Sequence, residues 1–115
     1  MNRFTTTVAL AACLVLTSCG DDPGDETARA ACRAYGQADA PTAQERARRA
    51  VEANERYAVL ERDLDDALSR ARSVAQAQRA GRPISGADMD AYFAADEQVR
   101  ADCADAGNDI GPLRP

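Results

Sequence analysis

The sequence predicts an all-α protein: a long helical hairpin over about 42–80 and about 85–106, with a short helix over about 23–35 laid across it, a small three-helix bundle. Three observations carry this. Apolar residues recur every third or fourth position from residue 28 onward, the period of a helix with one buried face. No stretch alternates apolar and polar residues as a half-buried strand does. Residues 42–80 contain neither Gly nor Pro, and Gly81 followed by Pro83 then supplies a stop signal.

Taken from its first residue, the chain opens with Met1-Asn2-Arg3, carrying one positive charge, and an uncharged run from Phe4 to Ser18. A basic start followed by a short apolar segment is the form of a secretory leader. At about 15 residues the run falls short of the roughly 20 a helix needs to cross a bilayer. It ends in Leu16-Thr17-Ser18-Cys19, with Asp21-Asp22 close behind. This tetrad resembles the lipobox of bacterial lipoproteins. The resemblance implies removal of residues 1–18, a diacylglycerol on the sulfur of Cys19, and a mature chain held by lipid on the extracytoplasmic face of a cell membrane. A diacylglycerol with a further acyl chain satisfies the two-signal rule for stable anchoring. Residues 19–22 are then a short tether, residues 23–107 the helical domain and residues 108–115 an irregular tail.

In the helical domain, Asp22-Pro23 reads as a cap followed by proline at the first helical position, with Asp25 and Glu26 in the favoured first turn. Ala28, Ala31, Cys32 and Tyr35 follow at helical spacing, and Gly36 can end the element. Thr42 and Glu45 form a capping box that opens the long helix. Its inner stripe includes Ala50, Val51, Asn54, Tyr57, Leu60, Leu64, Leu68 and Val74. Glu45–Arg49, Glu52–Arg56 and Asp66–Arg70 place an acid four residues before a base on the outer side, the better orientation. Ser85 with Asp88 opens the last helix, whose apolar face comprises Met89, Tyr92, Phe93, Val99, Cys103 and Ala106, with Asp96–Arg100 on its outer side and Gly107 ending it. Ile110 and Leu113 are apolar residues able to fold back from the tail.

Of four cysteines, Cys13 leaves with the leader and Cys19 takes lipid, so Cys32 and Cys103 remain. In an oxidising compartment the expected outcome is an internal disulfide; free thiols or an intermolecular bridge are the alternatives. Closing a loop of about 70 residues restricts the unfolded chain by roughly 4 kcal/mol on the chain-entropy model. The bond sets a geometric test. With a tight turn at 81–84, Cys103 lies opposite about residue 62; with a tight turn at 36–41, Cys32 lies opposite about residue 48, some 20 Å away along a straight helix. A disulfide allows only about 4.4–6.8 Å between Cα atoms. An extended strap over 36–41, spanning close to 20 Å, resolves the mismatch. A sharp break inside the long helix is the less favoured solution, because no residue there invites one.

Composition narrows the chemistry. The formal net charge is −5, and loss of Arg3 makes the mature chain more acidic, which argues against nucleic acid. There is no His, removing the commonest general base and the commonest metal ligand. Ser69, Ser73 and Ser85 have no partner motif for nucleophilic catalysis and read as surface or capping residues. Asp63, Asp65 and Asp66 lack the glycine and terminal glutamate of a calcium loop and point different ways on a helix. The pairs Glu52 with Glu55 and Glu61 with Asp65 lack the Glu-x-x-His companions of a bundle metal site. Asp102, Asp105 and Asp109 sit near a helix C-terminus, where the dipole disfavours them, and are the candidate surface for a cationic partner. No enzyme activity and no cofactor are expected. The expected role is a non-enzymatic interaction or structural component of the cell envelope with a protein partner there. Two alternatives stand beside it: an inhibitor or exclusion factor binding a basic envelope-active protein, and a small-ligand or metal carrier using the bundle interior.

Overall fold

The computed structural model describes residues 22–111, so the leader, the lipobox with Cys19, and Leu113 lie outside the described residues. Within them the chain is all-α: α1 (Asp25–Gly36), α2 (Ala40–Ala53), a short 3-10 turn (Glu55–Tyr57), α3 (Ala58–Arg79) and α4 (Gly86–Asp105). The helical class and the bundle are as the periodicity predicts. The single helix expected over 42–80 is not: it is two helices, α2 and α3, and the bundle has four members.

The break falls at Asn54, whose backbone is extended (φ −158°, ψ 114°). Asn54 serves both neighbours. Its N–H donates to Ala50 O at 2.8 Å and closes α2, while its side-chain Oδ1 accepts from Arg56 N at 3.2 Å and opens the 3-10 turn. Asparagine is a poor interior helix residue and a strong N-cap, so the stripe position given to Asn54 is a corner instead. The chain doubles back there. Gln44 of α2 reaches Asp65 of α3, 21 residues on, with Nε2 3.5 Å from Oδ1. A straight helix would hold those positions roughly 31 Å apart.

The fold-back also replaces the strap. Residues 37–39 form a tight turn, with Ala38 N donating to Tyr35 O and Asp39 N to Ala34 O, and α2 begins at Ala40. Its cap is Asp39, whose Oδ1 accepts from Thr42 N at 3.4 Å, so the cap lies three residues before the Thr42 read from the sequence. Pro41 at the start of α2 needs no backbone donor. The left-handed position in the turn belongs to Ala38 (φ 61°), and Gly36 remains helical. Gly36 matters for space: a Cβ there would touch Ile110 at 3.5 Å. At the other end α1 starts at Asp25, with Gly24 at its N-cap and the Asp25 carboxylate accepting from Asp22 N at 2.6 Å.

Successive helices therefore run up, down, up and down, and α1 closes on α4. Cys32 and Cys103 are bonded, with Cα atoms 5.7 Å apart. On either side of that bond, Tyr35 meets Asp96 and Asn108 Nδ2 donates to Arg29 O at 2.9 Å, the pairing of an antiparallel α1–α4 contact. The core is built largely of alanines (Ala28, Ala31, Ala43, Ala47, Ala50, Ala67) around Leu60, Leu64, Val99 and the disulfide. Small side chains let the helices approach closely, and the disulfide sits inside the packed layer. Both hairpin ends of α3 and α4 finish as expected: Arg82 N donates to Ala77 O past Gly81 (φ 68°), and Asn108 N to Cys103 O past Gly107 (φ 90°). Ser85 Oγ caps α4 through Asp88 N at 3.0 Å. Of the foreseen outer ion pairs, Glu45–Arg49 (3.5 Å) and Asp66–Arg70 (3.2 Å) form. Glu52 turns instead to Arg48 at 2.7 Å, leaving Arg56 to the acids at the head of α1.

Candidate functional site

Two acidic side chains are buried, and neither was placed inside by the sequence pattern: Asp25 is 5% exposed and Asp96 is 1%. Each lies where a helix end meets another element. Asp25 accepts the hydroxyl of Tyr57 and the backbone N–H of Asp22, with Arg56 3.4 Å away. The Tyr57 hydroxyl holds the Asp25 carboxyl below the usual range, the Asp22 N–H adds to this, and burial opposes both. Burial first, then the bond to Asp25, raises the Tyr57 phenol. Arg56 also donates to the Tyr57 hydroxyl at 2.9 Å and stacks over its ring, so the corner at Asn54 is pinned to the start of α1.

The sequence pattern puts Asp96 on the outer side of α4. It faces inward: Oδ1 accepts from the Tyr35 hydroxyl at 2.5 Å and Oδ2 from Arg100 Nε at 2.7 Å. Arg100 continues to the carbonyls of Ile110 (3.3 Å) and Gly111 (2.6 Å), drawing the tail onto α4. Burial, and then Asp96, raises the Tyr35 phenol. These groups satisfy one another. They tie helices together and leave no donor or acceptor aimed at a ligand.

The three aspartates singled out as a partner surface are separated. Asp102 and Asp105 share a groove of about 330 Å³ with Arg56, Tyr57, Val59, Leu60 and Ala106. Asp109 lies in the tail, its Oδ1 accepting from Gly111 N at 2.9 Å. Asp102 is turned toward α3. Its Oδ1 accepts from Gln98 Nε2 at 3.2 Å, while Oδ2 is shut from solvent with no donor facing it. The neighbour is the Asp63 carboxyl, so a bond between them exists only when one of the two carries a proton. Burial first, then Asp63, lifts the Asp102 carboxyl to about 6, and Asp105 adds to the rise. Beside the acids stands Val59, 47% exposed and the large apolar side chain most open to solvent among the described residues.

Elsewhere the candidate chemistry disperses. Asp63 faces α4, Asp65 is bonded to Gln44 of α2, and Asp66 pairs with Arg70, so the three do not converge. Glu52 is held by Arg48, whereas Glu55 is exposed on the 3-10 turn. Ser69 and Ser73 line a groove of about 460 Å³ at the tip of the α3–α4 hairpin with Arg70, Val74, Arg82 and Ile84, and Ser85 is spent on the cap. Among the described residues no group of three or more His, Cys, Asp or Glu is positioned to hold a metal, and no helix is long and apolar enough to cross a membrane.

Nothing in the sequence marks Asp25 or Asp96 as buried, since both occupy positions where exposed acids are common. A signal existed only for their partners, because Tyr35 and Tyr57 lie on apolar stripes and a buried phenol needs an acceptor. In comparisons with known proteins, no family model matches the chain, and no curated protein or solved structure matches it.

Proposed function

We propose that the mature protein is a lipid-anchored, extracytoplasmic helical module that acts by non-enzymatic contact with a protein of the cell envelope. Anchoring rests on the resemblance of Leu16-Thr17-Ser18-Cys19 to a lipobox. The extracytoplasmic reading is supported by the Cys32–Cys103 bond inside the core, since structural disulfides belong to oxidising compartments. Contact as the mode of action is supported by the way the buried acids are consumed in interhelical bonds, which leaves chemistry to the surface. The groove holding Val59 beside Asp102 and Asp105 is the face offered to a partner. An apolar knob next to carboxylates suits a basic partner that contributes one apolar side chain, with the acids steering its approach.

Anchoring is tested by expressing the full chain in bacterial cells with labelled palmitate. Label should enter the wild-type chain and be lost in Cys19→Ser, and cleavage should remove residues 1–18. An unacylated product, or one retaining those residues, would refute the anchor. For the contact surface, a photo-crosslinker at position 59 should yield a discrete adduct on intact cells. A control at exposed Arg48 should not. Adducts of equal yield at both positions would remove the groove from the argument.

A further inference from the structure

The helices of the bundle are unequal. α1 and α2 have 12 and 14 residues, against 22 and 20 for α3 and α4. The α1–α2 turn reaches only the level of Leu68, Ala71 and Tyr92, which share a groove with Tyr35, Ala38 and Ala40. Beyond that level the rest of α3 and the start of α4 continue as a two-helix arm of roughly 17 Å with no third helix over it. Burial falls away accordingly. After Leu68 the only buried residue of α3 is Ala77, and α4 has none before Ala95. Val74, Ala75, Ile84, Met89 and Tyr92 are all half-buried. Two helices cannot enclose their own apolar stripes, which need a further layer.

Charge identifies the occupant. From residue 69 to residue 85 every charged residue is an arginine, and from 86 to 98 every charged residue is an acid. Arg70 pairs with Asp66 and Asp96 is buried, but Arg72, Arg79 and Arg82 form no ion pair among the described residues. The same holds for Asp88, Asp90 and Glu97. The arm thus carries one basic rod and one acidic rod, and three charges of each have no opposite charge within 4 Å among the described residues. We propose that the arm docks on the arm of a second copy of this chain, two-fold related, so that α3 of each copy lies on α4 of the other. This arrangement satisfies both charge sets at once and supplies the missing layer to both apolar stripes. A patch of this length and about two helix widths covers on the order of 350 Å² per copy, below the roughly 800 Å² of a standard partner surface, so the association is weak. The proposal does not depend on the anchoring reading.

The test uses the full chain carrying Cys19→Ser, so that no lipid intervenes, in sedimentation equilibrium up to about 1 mM protein. A monomer–dimer equilibrium is expected. Arg72→Glu with Arg79→Glu leaves Arg82 as the remaining unpaired cation and turns the unpaired charge of the α3 rod negative, and Asp90→Arg with Glu97→Arg likewise turns that of the α4 rod positive; each pair should weaken dimerisation at least tenfold. Mixing the two variants should restore a dimer containing one of each. Circular dichroism establishes that both are folded. If either is not, the chain bearing all four changes, in which the rods exchange sign, should dimerise like the parent. A monomer at every concentration, dimers indifferent to the reversals, or a mixture that stays monomeric would overturn the proposal. So would a monomer that binds anionic vesicles through the arginine rod, which would give this face to a membrane.

Discussion

At the turn between α1 and α2, Ala38 holds a backbone conformation (φ 61°) that carries a steric cost of roughly 1–2 kcal/mol for a residue with a Cβ. The side chain is exposed and gains nothing in return. Ala38→Gly should therefore raise stability by about 0.5–1 kcal/mol in chemical denaturation, the usual helix penalty of glycine being absent in a turn. Asp102 offers a second residue-level test. Its carboxyl titrates near 6 in the folded chain against 3.8 for the ordinary group, so the folded state binds this proton more tightly. The resulting stability is complete below about 3.8 and is lost as pH rises through about 6. Asp25 and Glu26 act in the opposite sense: both are held low, Asp25 by the Tyr57 hydroxyl and Glu26 by Arg33 and then Arg29. Their contribution is present above their ordinary values and lost below them. Stability should climb as pH falls from 7 to about 5, then decline below about 4. In Asp102→Asn the climb should vanish and stability at pH 7 should rise by about 1 kcal/mol, the full shift being discounted for the open side of the groove. A climb unchanged in that variant would mean that another group carries it.

The helices are where sequence reading succeeded and where it stopped. Ser85, Gly81 and Gly107 were legible because each acts on its own few residues: a hydroxyl caps α4, and glycines end α3 and α4. Asn54 was not, because its helix-breaking role depends on residues far away. Gly24 brings its backbone so close that a Cβ there would lie 2.9 Å from Ala50 O, and Tyr57 reaches Asp25. Locally, a helix through Asn54 loses only a few tenths of a kcal/mol of propensity, and tertiary contacts outweigh that. The Cys32–Cys103 pair had already exposed the conflict between a straight helix and two tight turns. An extended strap is one solution; the molecule takes the other and breaks the helix at Asn54. Two substitutions test the corner: Asn54→Ala should cost about 1 kcal/mol through loss of its cap, and Gly24→Ala should cost more than about 1 kcal/mol, because φ is 87° and the space is taken. Equal stability of the Gly24→Ala chain and the wild type would argue against the close approach.

At the scale of the molecule, a core made mostly of alanine encloses little apolar surface, and the fold depends on covalent closure. The Cys32–Cys103 bond spans 71 residues and joins α1 to α4. Replacing both cysteines by alanine should lower stability by roughly 4 kcal/mol on the chain-entropy model. A domain of this size has only 5–15 kcal/mol to spare, so partial unfolding at 37 °C is expected. The candidate surface was only partly legible for a related reason. Charge placed acids near the end of α4, but which of them turns inward depends on Asp63 arriving from α3, a consequence of register that no local pattern shows. The measurement that bears most directly on the account is the separation of spin labels attached, by chemistry that spares the cysteines, at positions 44 and 65. Folded back at Asn54, the chain should give strong dipolar broadening from labels within about 15 Å of each other; an uninterrupted helix would hold those positions roughly 31 Å apart and give none.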